Sequence, residues 1–143
     1  MTLSDAQKAE VKATMQEYAT AYKNKDIKGL LAVFSPEICG FGSGPDEIVL
    51  GIDAFVRQIK RDISQATVNN VAFSDTQIFG DGRVAWLMTK SAISFTIAGE
   101  KMQTLAGRST MVMKNTGSRW KIEQIHFSLP CGGQQKGQSF PGA

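Results

Sequence analysis

Cysteine is scarce in this chain, and the scarcity excludes a disulfide-held scaffold. Cys39 and Cys131 are the only two in 143 residues; their separation fits no zinc-ligand spacing, and both read as buried, inert thiols. Long apolar runs are missing as well, since none approaches the ~18 uninterrupted residues that span a bilayer. The opening MTLSDAQKAE lacks the basic and then apolar regions of a secretory signal, so a cytoplasmic location is expected. Charge of one sign is nowhere concentrated. The formal net charge is +3, but Lys and Arg are scattered and aromatics do not interleave with them, which argues against a nucleic-acid partner. Their one local cluster, Arg57, Lys60 and Arg61, shares a helix face and reads as solvated surface. Fingerprints of familiar chemistry are also lacking: there is no P-loop, GxSxG, HExxH or CxxC, and FGSGPDE lacks the Lys and Ser/Thr of a phosphate loop. No cofactor, metal or membrane partner is expected.

What is present is the make-up of one folded domain. The hydrophobic fraction is 42% and the charged fraction 20%, ordinary values at about the commonest domain length. The domain is expected over residues 1–130, followed by a flexible tail over 131–143, CGGQQKGQSFPGA, which is rich in Gly and Gln. Ser4 and Gln7 make a capping-box pattern ahead of Val11, Met15, Tyr18 and Tyr22, which recur at helical intervals. Leu30, Val33 and Phe34 stripe a second, short helix that Pro36 stops. A third helix follows Gly51, with Ile52, Phe55, Val56, Ile59 and Ile63 on one side. From Thr67 on the period becomes two, and glycine-bearing turns separate four long strands. Helices first and strands afterwards predict an α+β fold in which three N-terminal helices pack on a strongly curved antiparallel sheet, bulged near Gly107 and enclosing a concavity.

Three stretches resemble the SnoaL-like branch of the nuclear transport factor 2 and ketosteroid isomerase-like superfamily: YATAYKNKDIKGLLAVFSPE (18–37), GFGSGPDEIVLGIDAFVRQI (40–59) and GRSTMVMKNTGSRWKIEQIHFSLP (107–130). The third is also similar to the end of the association domain of calcium/calmodulin-dependent kinase II, where a tryptophan precedes a strand ending in His-x-Ser. The resemblance implies a cone-shaped domain around an apolar pocket, with the outer sheet face forming a dimer. Apolar residues on both sides of the strands agree with a homodimer: Ile93, Phe95 and Ile97 share one face, as do Met111 and Met113 on the next strand, more than three helices can cover.

The pocket is expected to draw on Tyr18, Phe34, Trp86, Phe95, Arg108, Trp120 and His126, with Tyr18, Trp86 and Trp120 more than half buried. Along RWKIEQIHFSLP, alternation groups Trp120, Ile122, Gln124, His126 and Ser128. If that face lines the cone, His126 is a polar group among aromatic walls; if it is the outer face, His126 sits at the dimer contact. Arg108 reads either as an inward cation, which would demand Glu47 or a ligand carboxylate, or as an exposed strand arginine.

Ketosteroid-isomerase chemistry needs a carboxylate base and an oxyanion hole. The resemblance matches Tyr18 to one hole donor, but puts Gly42 at the base position and Ser109 or Thr110 at the second donor position, so that mechanism does not carry over. Asp46 and Glu47 are the nearest carboxylates, in a loop where capping or surface roles are expected. The kinase hub's arginine after the terminal histidine is replaced here by Phe127. The leading expectation is a domain that binds a small, largely apolar or anionic ligand. The alternatives are a lyase, isomerase or cyclase acting on an apolar carbonyl compound, with His126 as acid or base and Tyr18 as a second candidate, or a dimeric assembly module.

Overall fold

The structure, a computed structural model, describes residues 2–143. Helix α1 (Asp5–Lys23) starts where the sequence predicts. The Gln7 N–H donates to the Ser4 hydroxyl at 3.1 Å, and the Ser4 N–H donates to the Gln7 side-chain carbonyl at 3.0 Å, a reciprocal cap of the kind that contributes ~1 kcal/mol. Helix α2 (Ile27–Val33) opens on the Asp26 carboxylate, which accepts from the Gly29 N–H at 2.9 Å. It ends before Phe34, which the sequence pattern had placed in the helix but which begins strand β1 (Phe34–Phe41). Pro36 therefore sits inside a strand, in the stretch where pairing with the neighbouring strand is interrupted, the setting in which a missing N–H is tolerated. Strand β2 (Ile48–Leu50) and helix α3 (Ile52–Gln65) follow. The four long strands are β3 (Thr67–Gly80), β4 (Val84–Thr96), β5 (Gln103–Asn115) and β6 (Trp120–Ser128).

The fold is α+β, and its six strands run in the order β2-β1-β6-β5-β4-β3. The sheet is mixed, because β1 lies parallel to β6 while the other neighbours are antiparallel. The core fills the space between helices and inner sheet face, where Val11, Leu30, Phe34, Met111, Met113 and Trp120 are almost fully buried. Met111 and Met113, which the sequence puts on one face of their strand, belong to the core. Cys39 is only partly buried and Cys131 is exposed, against the expectation of two buried thiols. The tail beyond Pro130 forms neither helix nor strand. Among the described residues no helix is long and apolar enough to cross a membrane.

Bulges decide which side chains face inward. Pairing between β4 and β5 runs unbroken through Gly107, so the bulge predicted there is absent. Shifts occur instead on β3, between Val68 and Asn70 and between Ser74 and Gln77, and on β6. There Val112 pairs with Gln124 but Met113 pairs with Ile122, leaving Glu123 as an extra residue. One extra residue reverses the alternation. Trp120 and Ile122 point to the core, and beyond the bulge Ile125 and Phe127 point inward while His126 points out.

Candidate functional site

Between the inner sheet face and helices α1 and α3 lies a cavity of about 240 Å³. That is just under the ~300–1,000 Å³ usual for drug-sized sites, so it suits a small molecule. Most of its wall is apolar: Val68, Val71 and Phe73 from β3, Ile93 and Phe95 from β4, Leu105 from β5, and Ile125 and Phe127 from β6. On its floor the Ser91 hydroxyl donates to that of Ser109 at 2.7 Å, which satisfies both buried groups.

The polar end is built by two helices and a loop. Tyr18 and Tyr22, one helical turn apart on α1, face Gln58 and Asp62, likewise four apart on α3. The Tyr22 hydroxyl donates to the Asp62 carboxylate at 2.9 Å, and the Gln58 amide donates to Asp62 at 2.8 Å and to Glu47 at 3.1 Å. Glu47 belongs to the loop between β1 and β2, and its carboxylate also accepts from the Gly44 N–H. Gly42 and Gly44 leave the room this requires, since a Cβ on either would stand 2.6 or 2.9 Å from the Glu47 carboxyl group. Arg61 anchors the loop from outside, at 2.8 Å from Asp46 and 3.5 Å from Glu47.

Burial shapes the chemistry of this end. The Asp62 carboxyl is pushed above the ordinary carboxylate range, chiefly by desolvation and also by the charge of Glu47; the hydrogen bonds from Gln58 and Tyr22 oppose the shift. Burial and the nearby Asp62 charge raise both tyrosines, so their hydroxyls stay protonated as donors. Outside the cavity, the Arg61 guanidinium holds Asp46 below its usual range. Among the described residues, no hydrogen-bond partner of the Tyr18 hydroxyl is found, and no group of three or more His, Cys, Asp or Glu side chains is placed to hold a metal.

The residues singled out from sequence divide sharply. Tyr18 and Phe95 line the cavity. Phe34 lies beneath it, edge-on to Tyr18 at 5.2 Å between ring centroids and against Phe55 at 4.2 Å. Trp120 is buried in the core beside the cavity, and its indole N–H donates to the Glu10 carboxylate at 2.9 Å. Trp86, Arg108 and His126 are on the other face of the sheet. Trp86 is 51% exposed, contrary to its expected burial. Arg108 pairs in register with Lys90 and Ser128 on the solvent side. His126 stands between Thr110 and Phe41, with its ring edge-on to Phe41 at 5.8 Å. Ile93 is turned inward and lines the cavity. Of the two alternatives for a second hydroxyl, Ser109 is inside and Thr110 outside.

Asp62, Gln58, Tyr22 and Glu47 were not read from sequence as site residues. Asp62 had a signal: Phe55, Gln58, Ile59 and Asp62 fall at i, i+3, i+4 and i+7, so two polar residues interrupt the apolar stripe of α3. From sequence Glu47 reads only as a surface or capping group or as a partner for an inward Arg108, because its actual inward turn depends on how the glycine-rich loop folds back on α3.

Comparison with known proteins places this geometry in a family context. Residues 11–132 match the sequence profile described as SnoaL-like domain. A comparison with curated proteins returns no match. Among solved structures, a candidate aromatic ring hydroxylase from Novosphingobium aromaticivorans is similar at a TM-score of 0.82 and 16% identity, with 90% of this chain and 92% of that one covered. A candidate scytalone dehydratase from the same organism gives 0.78 at 14% identity, covering 88% and 85%. A candidate dehydratase of the NTF2-like family from Streptomyces avermitilis gives 0.78 at 14%, covering 90% and 99%. At such identities the likeness is one of fold.

Proposed function

The chain belongs to the SnoaL-like domain family, and on that premise we propose that it binds a small, largely apolar molecule in its cone. The polar head of the molecule turns toward Tyr18, Tyr22 and Asp62, and its body lies among the side chains of β3 to β6. The observation that carries this reading is the segregation of the cavity: its walls are aliphatic and aromatic, while its hydrogen-bonding groups gather at one end. Ligand-observed NMR with a set of small ketones, alcohols and aromatic compounds tests it. Binders should emerge that Leu105→Trp, which fills the cavity, releases. Equal binding by that variant would overturn the reading.

A second reading, an acid–base enzyme of the lyase or isomerase kind, rests on Asp62. A general acid or base works best when its pKa approaches the working pH, and burial moves this carboxyl in that direction. Asp62 would take or return a proton at the bound molecule while the Tyr18 hydroxyl donates to an oxygen on which charge develops. Asp62 replaces His126 in this role, since His126 lies on the opposite face of the sheet. The dehydratase descriptions of two similar folds fit a lyase in kind. Once a substrate is found, Asp62→Asn should lower turnover at least ~100-fold while binding persists; unchanged turnover would remove Asp62 from the chemistry. In either reading the protein is a homodimer through the outer sheet face, where Phe41, Leu50, Trp86 and Met88 are exposed.

A further inference from the structure

Among the described residues, two carboxylates face the cavity and no cationic side chain does. Glu47 and Asp62 are among the lining residues, whereas no Lys, Arg or His is. Glu47 has a counterion in Arg61 at 3.5 Å. Asp62 has only neutral partners, the Tyr22 hydroxyl and the Gln58 amide. Among the described residues the Tyr18 hydroxyl is a donor without a partner on this wall, and the other donors that an arriving anion would need there are committed. Gln58 gives its amide to both carboxylates, Tyr22 its hydroxyl to Asp62, and Gly44 its N–H to Glu47. Arg57 and Lys60 are on the exposed side of α3, and Arg108 is across the sheet.

We propose that this cavity selects by charge, admitting molecules whose polar head is neutral or cationic and donates a hydrogen bond, and rejecting anions, with Asp62 as the residue that decides. The inference rests on the ligand-binding reading and narrows it, and it reverses the anionic ligand that an inward Arg108 would have implied. An anion entering would lose its hydration, meet a like charge that has no direct salt bridge, and find few unused donors. A hydroxyl or ammonium would instead find remaining lone pairs on Asp62, and a hydroxyl could also accept from Tyr18.

Three probes with one body test this on the full chain by calorimetry or NMR: 2-phenylethanol, 2-phenylethylammonium and 2-phenylethanesulfonate, the last keeping its charge at all working pH values. At about pH 8 the alcohol and the ammonium should bind, and the sulfonate at least ~10-fold more weakly, as like-charge placement demands. Asp62→Asn should close that gap. Should the variant fold poorly, the native protein supplies the same test, because sulfonate affinity should rise relative to the alcohol as Asp62 gains its proton at lower pH. A sulfonate that binds as tightly as the alcohol at pH 8, or a gap that persists in Asp62→Asn and at low pH, overturns the selection by Asp62 while leaving the binding reading intact. Binding of none of the three overturns the binding reading, and this inference with it.

Discussion

Trp120 and His126 stand on one strand and have opposite surroundings. The Trp120 indole is 2% exposed and bonded to Glu10. Trp120→Ala should therefore cost about 3 kcal/mol or more in denaturant melts, the range for truncating a core aromatic; a loss below about 1 kcal/mol would contradict its burial. His126, outside, carries no such expectation. Asp62 makes a prediction about pH. Because burial raises its pKa, folded Asp62 holds its proton to higher pH than the ~3.9 of an unfolded chain. Between those two values the folded state binds more protons, so this contribution to stability is complete below about pH 3.9 and is lost as pH rises through the folded value. Asp62→Asn lacks the titration. The stability of the native protein relative to this variant should accordingly fall from about pH 4 toward neutrality in urea unfolding at matched pH. A relative rise would mean that the bonds from Tyr22 and Gln58 outweigh burial.

Among the elements, β6 is the most consequential, because Glu123 turns its second half over. The bulge keeps Trp120 and Ile122 in the core and brings Ile125 and Phe127 to the cavity. Deleting Glu123 should remove the bulge and keep the facing, because Ile122, Gln124, Ile125, His126 and Phe127 then alternate in, out, in, out, in. We expect a loss within the ~0.5–3 kcal/mol of ordinary single-site changes in urea melts and a retained near-ultraviolet circular dichroism signal. A collapsed signal would show that the bulge does more than set the facing of β6. Helix α3 plays the complementary part. Its inner face supplies Phe55, Gln58, Ile59 and Asp62 to the cavity, and Arg61 beside them holds the β1–β2 loop.

At the level of the whole molecule, the outer face of the sheet remains to be covered. In register across it lie Leu50, Cys39, Gln124, Val112, Trp86 and Phe79, and beside them Phe41, His126, Thr110, Met88 and Gln77. Leu50 is 77% exposed and Met88 58%, an apolar band of the kind that marks an interface. Light scattering at micromolar concentration should give twice the chain mass, and Trp86→Lys with Met88→Lys should give a monomer of unchanged helix and strand content. A monomeric native protein would refute the homodimer. In the dimer His126, at the middle of this band, would be a contact residue and Phe41 its neighbour.

The sequence by itself determined the helices and the four long strands, though not β1 and β2, because the signals of the former are local. The capping box at Ser4, the apolar stripes at helical intervals and the change of period after α3 each depend on residues within a turn or a strand. They sufficed for the α+β layering, for the family resemblance, and for Tyr18 and Phe95 in the cavity. Only the tertiary structure decided which face of each strand points inward and which polar groups meet. Alternation carries facing information only until an unpaired residue intervenes, and Glu123 is unpaired because of how β6 registers against β5, a partner distant in sequence. That single shift separated His126 from Trp120. The meeting of Tyr22, Gln58, Asp62 and Glu47 likewise joins α1, α3 and a loop whose approach is set by packing, so no spacing along the chain encodes it.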